Sequence, residues 1–191
     1  MISTEPNDTQ QYLLDKAVMQ FTQILDYIDA SYEHQRAAHI VELGIFNQIL
    51  NLGFSLFETF FGKYGTGDLG DQMTMPDGKV VKRLKEPRKK EYLSVFGQHE
   101  IIRTVYGTGE KKKIQWVPVD AELQLPEVKF SYVLQNWSQD IAGDVPFNHV
   151  NDVFGKILNL NQSVNSLERT NRKMSESVEA FWDQKKGSSL L

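Results

Sequence analysis

Residues 92–126, YLSVFGQHEIIRTVYGTGEKKKIQWVPVDAELQLP, set short alternating apolar runs among glycine turns and basic residues. Two-residue alternation broken by tight turns specifies antiparallel hairpins. Residues 92–96, turning at Gly97, pair with residues 100–106; Gly107-Thr108-Gly109 makes the next turn, leading to a strand over 114–117. Upstream, Pro76-Asp77-Gly78 is a turn signal that folds residues 72–75 against 79–84, and Glu86-Pro87-Arg88-Lys89-Lys90 breaks the sheet.

Both flanks change to helical spacing. Asp8 is a candidate N-cap with Gln11 in the capping-box position, and Leu14, Ala17, Phe21, Leu25 and Ile28 then recur on one face. After Ser31 the pattern resumes from Ala38 to Phe60 and becomes apolar on most sides. The expected fold class is therefore α+β. It comprises a long N-terminal helical hairpin (1–61), a glycine-rich connector (62–71), a small antiparallel β-hairpin sheet (72–125), a C-terminal three-helix, helix-turn-helix-like unit (126–182) and a disordered tail (183–191).

A chain of 191 residues buries a core without covalent staples. It contains no cysteine, which excludes disulfides, iron-sulfur clusters, thiol nucleophiles and thiolate zinc sites. The start, MISTEPNDTQ, has no basic segment before an apolar core, so no signal peptide is expected. The most apolar stretch, 45–61, is interrupted by Asn47, Gln48, Asn51, Ser55 and Glu58 and reads as a buried helix, not a membrane anchor. The expected location is the cytoplasm, at the nucleoid.

The net charge of -4 hides a bipolar molecule: residues 79–113 carry eleven Lys and Arg against four Glu. Lys82, Arg83, Lys85, Arg88, Lys89, Lys90, Arg103, Lys111, Lys112 and Lys113 are candidate phosphate contacts, since basic hairpins suit a polyanion. The competing role for these lysines is protection of strand edges. Tyr92, Phe96, Tyr106 and Trp116 either stack on bases or fill the core, and core is the expected role. The N-terminal arm, with Asp15, Asp26, Asp29, Glu33 and Glu42, repels nucleic acid and suits dimerisation, scaffolding or plain solvation.

Gly65, Gly67 and Gly70 spell G-x-G-x-x-G, but a helix precedes them and a strand follows, the reverse of a dinucleotide site. The lysine run lacks phosphate-loop spacing. His34, His39, His99 and His149 lie on different elements without metal-ligand spacing. Asp68 with Asp71, and Asp120 with Glu122, are carboxylate pairs lacking a third member, so no catalysis and no cofactor are expected of this chain.

Beyond Pro126, Phe130, Val133, Leu134, Trp137 and Ile141 mark one helix ending near Gly143. Asp144 is the expected cap of a second, with Phe147, Val150, Val153, Phe154, Ile157 and Leu158 inward. Ser163 is the expected cap of a third, in which Val164, Leu167, Asn171, Met174, Val178 and Phe181 repeat at three-and-four spacing. Read as helix-turn-helix, this places Asn165, Ser166 and Arg169 at base edges and Arg172 and Lys173 on phosphates. Read as an ordinary bundle, the same face is merely solvated.

The order of GTGDLG, YLSVFGQHEIIRTVYG, VPVDAELQLPEVKFSYVLQNW and SVNSLERTNRKM resembles the N-terminal region of ISKra-type insertion-sequence transposases, over residues 40–182. The resemblance implies double-stranded DNA as partner, specifically the inverted repeats of an element. It also implies a downstream DDE domain holding Mg2+, whose carboxylates have no counterpart before the final GSSLL. Relatives often carry zinc-ribbon cysteines near the hairpin; none occur here, so no zinc is expected. The expectation is the DNA-binding portion of a transposase, acting in DNA transposition without its catalytic domain. The alternative is a helical interaction protein, a homodimer or a modulator of the full-length transposase.

Overall fold

A computed structural model describes residues 8–75, 77–108, 114–143 and 146–160, together with Arg169 and Arg172. The described residues are mixed helix and sheet. Their helices are α1 (Asp8–Glu33), α2 (Ala38–Tyr64), α3 (Pro118–Glu122), α4 (Tyr132–Ala142) and α5 (Phe147–Leu158). The strands are β1 (Gln72–Thr74), β2 (Val80–Arg83), β3 (Arg88–Ser94), β4 (Gly97–Arg103), β5 (Tyr106–Gly107) and β6 (Ile114–Trp116). They form a four-stranded sheet in the order β1-β2-β5-β6 and a separate β3-β4 pair. The chain divides into two compact units, residues 1–92 with 98–125, and residues 93–97 with 126–191.

In the first unit α1 and α2 run in opposite directions. The Gln10 amide donates to the Gly62 carbonyl and the Tyr27 hydroxyl to the Ile40 carbonyl, each at 3.2 Å. Small residues allow the close approach: Ala17 and Ser31 of α1 and Ser55 and Thr59 of α2 are buried. A Cβ on Gly44 would lie 2.1 Å from the Tyr27 hydroxyl. This close seam leaves no room for the larger side chains. Leu14, Phe21, Leu25 and Ile28, expected to face inward with Ala17, are 44%, 53%, 47% and 40% exposed.

The expectation of a buried second helix is also corrected. α2 runs for 27 residues and holds an 18-residue window apolar enough to cross a membrane by length and composition, with a mean hydropathy of 1.4. Only 6% of that window is buried. Its buried contacts come from two narrow strips, the small residues toward α1 and an aromatic strip toward β4.

That second strip closes on His99, a β4 residue whose side chain is fully enclosed. Its ring stacks on Phe54 with centroids 4.4 Å apart and meets Phe57 and Phe61 edge-on at 5.2 and 5.5 Å. Nδ1 lies 2.5 Å from a Glu58 carboxylate oxygen. Glu58, read from the sequence as an interruption of the apolar run, is thus the polar partner of a buried imidazole, joining α2 to β4. The other three histidines are exposed.

In the four-stranded sheet β1 pairs antiparallel with β2, with Met73 opposite Val81, and the turn closes through Gly78 N to the Met75 carbonyl at 2.9 Å. Arg83 sits opposite Tyr106 where β2 pairs with β5, and the register shifts between Tyr106 and Gly107 where β5 meets β6. Two sequence boundaries move. Arg88, Lys89 and Lys90 do not break the sheet but begin β3, and the break lies before them. The turn uses Val95 and Phe96, while Gly97 opens β4. A two-residue connection gives the tightest antiparallel hairpin.

The second unit has its own core of Leu93, Phe130, Leu134, Val150, Phe154 and Leu160. Leu93 and Phe130 form a parallel bridge, with Leu93 N donating to the Lys129 carbonyl at 2.7 Å and Ser131 N to the Leu93 carbonyl at 2.8 Å. Phe130 is therefore a bridge residue and not the first turn of a helix. The Ser131 hydroxyl caps α4 by accepting from Leu134 N at 3.1 Å. At α5 the N-cap position belongs to Pro146, with no side-chain cap, and not to Asp144, which lies outside the described residues. Asn159 ends α5 in the left-handed conformation, φ 53°. Of the apolar positions read inward, Val133, Trp137 and Ile157 are 51%, 43% and 51% exposed. The expected third helix and tail fall outside the described residues, except that Arg169 and Arg172 are helical and exposed.

Burial lowers the pKa of His99 from its ordinary value, and the Glu58 carboxylate only partly opposes this. The folded protein holds the ring neutral, whereas the unfolded chain protonates it near pH 6.5. The contribution of this group to stability is therefore fully present above about pH 6.5 and is lost progressively as pH falls below it. Urea denaturation between pH 7.5 and 5 is expected to show a falling midpoint in the native chain and a flatter one in His99→Phe.

Candidate nucleic-acid interface

The residues that would hold a polyanion lie on β2, β3, β4 and the segments joining them, and their local chemistry separates them into two groups. The first group is already engaged with protein carboxylates. Arg83, at the end of β2, pairs with Asp68 through Nη1 and with Asp71 through Nη2, the latter at 2.6 Å. Arg103, at the end of β4, pairs with Asp120 of α3. Its Nε and Asp120 Oδ1 are buried without a partner, so losing the pair strands further polar atoms. Lys89 meets Glu100 across the β3-β4 pair at 2.8 Å. Asp68, Asp71, Asp77, Asp120 and Glu122 flank the basic window, and including them reduces its excess from seven positive charges to two.

The second group is outward-facing. Among the described residues Lys82, Lys85 and Arg88 are exposed and make no ion pair. Val81 is fully buried, so alternation along β2 turns Lys82 to the opposite, solvent side. Lys90 is half-buried and carries contacts of its own. Lys111, Lys112, Lys113, Asn165, Ser166 and Lys173 lie outside the described residues, and Arg169 and Arg172 are exposed helical positions three residues apart.

The carboxylate pairs and the glycine loop serve one structural network. The buried Tyr106 hydroxyl accepts from Leu69 N at 2.7 Å and shares its proton between the Gly70 carbonyl at 3.0 Å and Asp68 Oδ1 at 3.2 Å. Gly70 N donates to Asp68 Oδ1 at 2.9 Å, and Thr104 N to the Thr66 carbonyl at 2.7 Å. Gly67, at φ 69°, lies under α3: a Cβ there would come 2.4 Å from Val119 Cγ2. Val119 is buried and Pro118 occupies the first turn of α3. α3 forms over the VPVDAELQLP segment, where the sequence reading placed only an exit from the sheet. The P-x-D signal for it was present, since proline suits a helix start and an acidic residue suits the first turn.

The Gly70 amide and the Arg83 guanidinium hold the Asp68 carboxyl below its ordinary pKa, against the opposing effect of burial. Arg83 is held above its ordinary pKa by Asp68. Burial raises the Tyr106 phenol above its ordinary pKa. These shifts belong to a fixed ion-pair network: the carboxylates oppose arginine and the phenol remains a neutral hydrogen-bonding group. The aromatics divide likewise. Tyr106 is buried, Tyr92 joins the aromatic group around His99, Trp116 is half-buried, and Phe96 is 39% exposed at the hairpin turn. Among the described residues no three His, Asp or Glu side chains gather as a metal site.

Gly67→Ala meets both a positive φ and a collision with Val119, while Gly65→Ala meets a positive φ in open space. In urea denaturation Gly67→Ala is expected to cost roughly 2–4 kcal/mol and Gly65→Ala roughly 1 kcal/mol. Tyr106→Phe is expected to cost roughly 1–3 kcal/mol by leaving the Leu69 amide and the loop unpaired. Equal effects of the two glycine substitutions would remove the close packing of α3 on the loop.

Comparison of the chain with protein-family models, curated proteins and solved structures gives no match.

Proposed function

We propose that this chain is the DNA-binding portion of an ISKra-type transposase, holding the ends of an insertion element and performing no strand cleavage itself. The observation that supports it best is the outward set Lys82, Lys85 and Arg88, which remains exposed and without ion pairs while Arg83 and Arg103 are engaged by carboxylates. Lysine and arginine on such short elements bind phosphates without reading sequence. In this reading the phosphate contacts are Lys82, Lys85 and Arg88, and Arg83 and Arg103 are removed from the contact set. The family motifs G-x-G, R-T-V-Y-G and V-P-V-D are read as the fold's internal network.

Reading of the DNA sequence is assigned to the second unit. Between α4 and α5 runs an apolar cleft of about 200 Å³ lined by Trp137, Ile141, Val153, Phe154, Ile157 and Leu158. Arg169 and Arg172, exposed helical positions three residues apart, are the residues proposed for DNA there, Arg169 for base edges and Arg172 for phosphate.

A gel-shift titration against salt, with inverted-repeat duplex and with scrambled duplex, tests the reading. Affinity is expected to fall steeply with salt, and Lys82→Ala with Lys85→Ala to reduce the log-log slope by about 0.9 per contact removed on both DNAs. Arg169→Ala is expected to erase the preference for the repeat by a factor of about ten or more. No binding to either duplex at low salt would end the proposal, and identical effects of the lysine and arginine substitutions would end the groove-reading assignment.

A further inference from the structure

One face of the α1-α2 pair carries an apolar stripe that no described residue of the first unit covers. Residues Leu14, Val18, Phe21, Leu25, Ile28 and Tyr32 follow one another at spacings of four and three, and each is exposed, from 40% at Ile28 to 85% at Tyr32. This is a heptad seam. α1 has another seam one residue earlier, through Ala17, Ile24 and Ser31, and that one is buried. The seam turned outward is the more apolar of the two. From Leu14 to Tyr32 its arc of the helix contains no charge, while Asp15, Asp26, Asp29 and Glu33 form a ridge beside it.

α2 adds to the same face. Ile49, Leu56 and Phe60 are 51%, 51% and 41% exposed and lie about 120° around the helix from buried Ser55. On α1 the exposed seam lies about 100° around from the buried one in the same rotational sense. In an antiparallel pair, equal rotations away from the contact bring both stripes to the same side. The aromatic strip around His99 occupies the other side of α2.

From the helical rise, this face measures about 30 Å by 20 Å, or about 600 Å². That is the upper end of what a monomer exposes in one apolar patch, and two such faces would bury about 1,200 Å², enough for a specific dimer. We infer that a second copy of this chain covers the face, the two α1-α2 pairs closing as a four-helix bundle about a two-fold axis. A second copy matches the stripe in length, its α1 part carries no charge and Glu42 of α2, one heptad before Ile49, falls at its end, and the 4-3 spacing is that of helix bundles. The acidic ridges come to the rim of such a bundle, so salt strengthens the dimer. Salt weakens DNA binding by lysine and arginine, and the dimer stands whether or not DNA is bound.

Sedimentation equilibrium of the full chain from about 1 to 100 μM, at low and high salt, decides the matter. The expected result is twice the 21.9 kDa chain mass, with a Kd that falls as salt rises. Phe21→Glu with Leu25→Glu is expected to raise the Kd about 100-fold with unchanged helical circular dichroism. The milder Leu25→Ala, which keeps the helix in any case, is expected to raise it about tenfold. A monomer at every concentration and salt would overturn the inference, as would a dimer indifferent to both substitutions. A monomer that floats with phosphatidylcholine-phosphatidylglycerol vesicles would overturn it in favour of a lipid surface.

Discussion

The Tyr106 hydroxyl fixes the first unit. One buried phenol oxygen holds the Leu69 amide and the Gly70 carbonyl and faces Asp68, so a glycine-rich loop is tied to a two-residue strand. Asp68 then takes Arg83. Around it, Thr104 takes Thr66, and Gly67 admits Val119. A loop with three left-handed glycines is costly to order, because each has many unfolded conformations to lose. Convergence of several partners on it offsets that cost, and β5 owes its position to the same residues.

The chain's chemistry thereby acquires a division of labour. Arginines near the loop and α3 are neutralised by carboxylates from neighbouring segments and stabilise the fold through paired charge. The outward residues Lys82, Lys85 and Arg88 stay exposed and, among the described residues, take no carboxylate partner. Charge counted along the sequence overstates that exposed set, because the compensating carboxylates sit just outside the window counted and arrive by folding.

Strand pairing on either side of Asp77-Gly78 and the presence of α1, α2, α4 and α5 were legible in the sequence, because turn chemistry and helical apolar spacing specify them. The split into two sheets was not, since it depends on Thr104 and Val105 leaving β4 and passing to a different neighbour. His99 and Glu58 are 41 residues apart, and no local pattern announces that the two meet as polar partners. Leu14, Phe21, Leu25 and Ile28 illustrate a different limit. Periodicity locates an apolar face, and a helix with two adjacent apolar seams leaves open which seam its own chain will use. Small side chains at Ala17 and Ser55 settle that by letting the backbones close up. At the basic positions of the strands the residue types were visible, but only geometry separates an arginine already held by aspartate from a lysine in solvent.

The β3-β4 hairpin has a final consequence. Its stem belongs to the first unit and its tip, residues 93–97, to the second, whose core includes Leu93. The boundary between the units is thus crossed by the chain three times, and no single peptide bond separates them. A fragment starting at Pro126 leaves one of its own core residues behind, and a fragment ending at Leu125 carries an apolar hairpin tip without its surroundings. The second unit draws its core from two separated stretches of the sequence, and it is whole only when the hairpin tip and the helices belong to one chain.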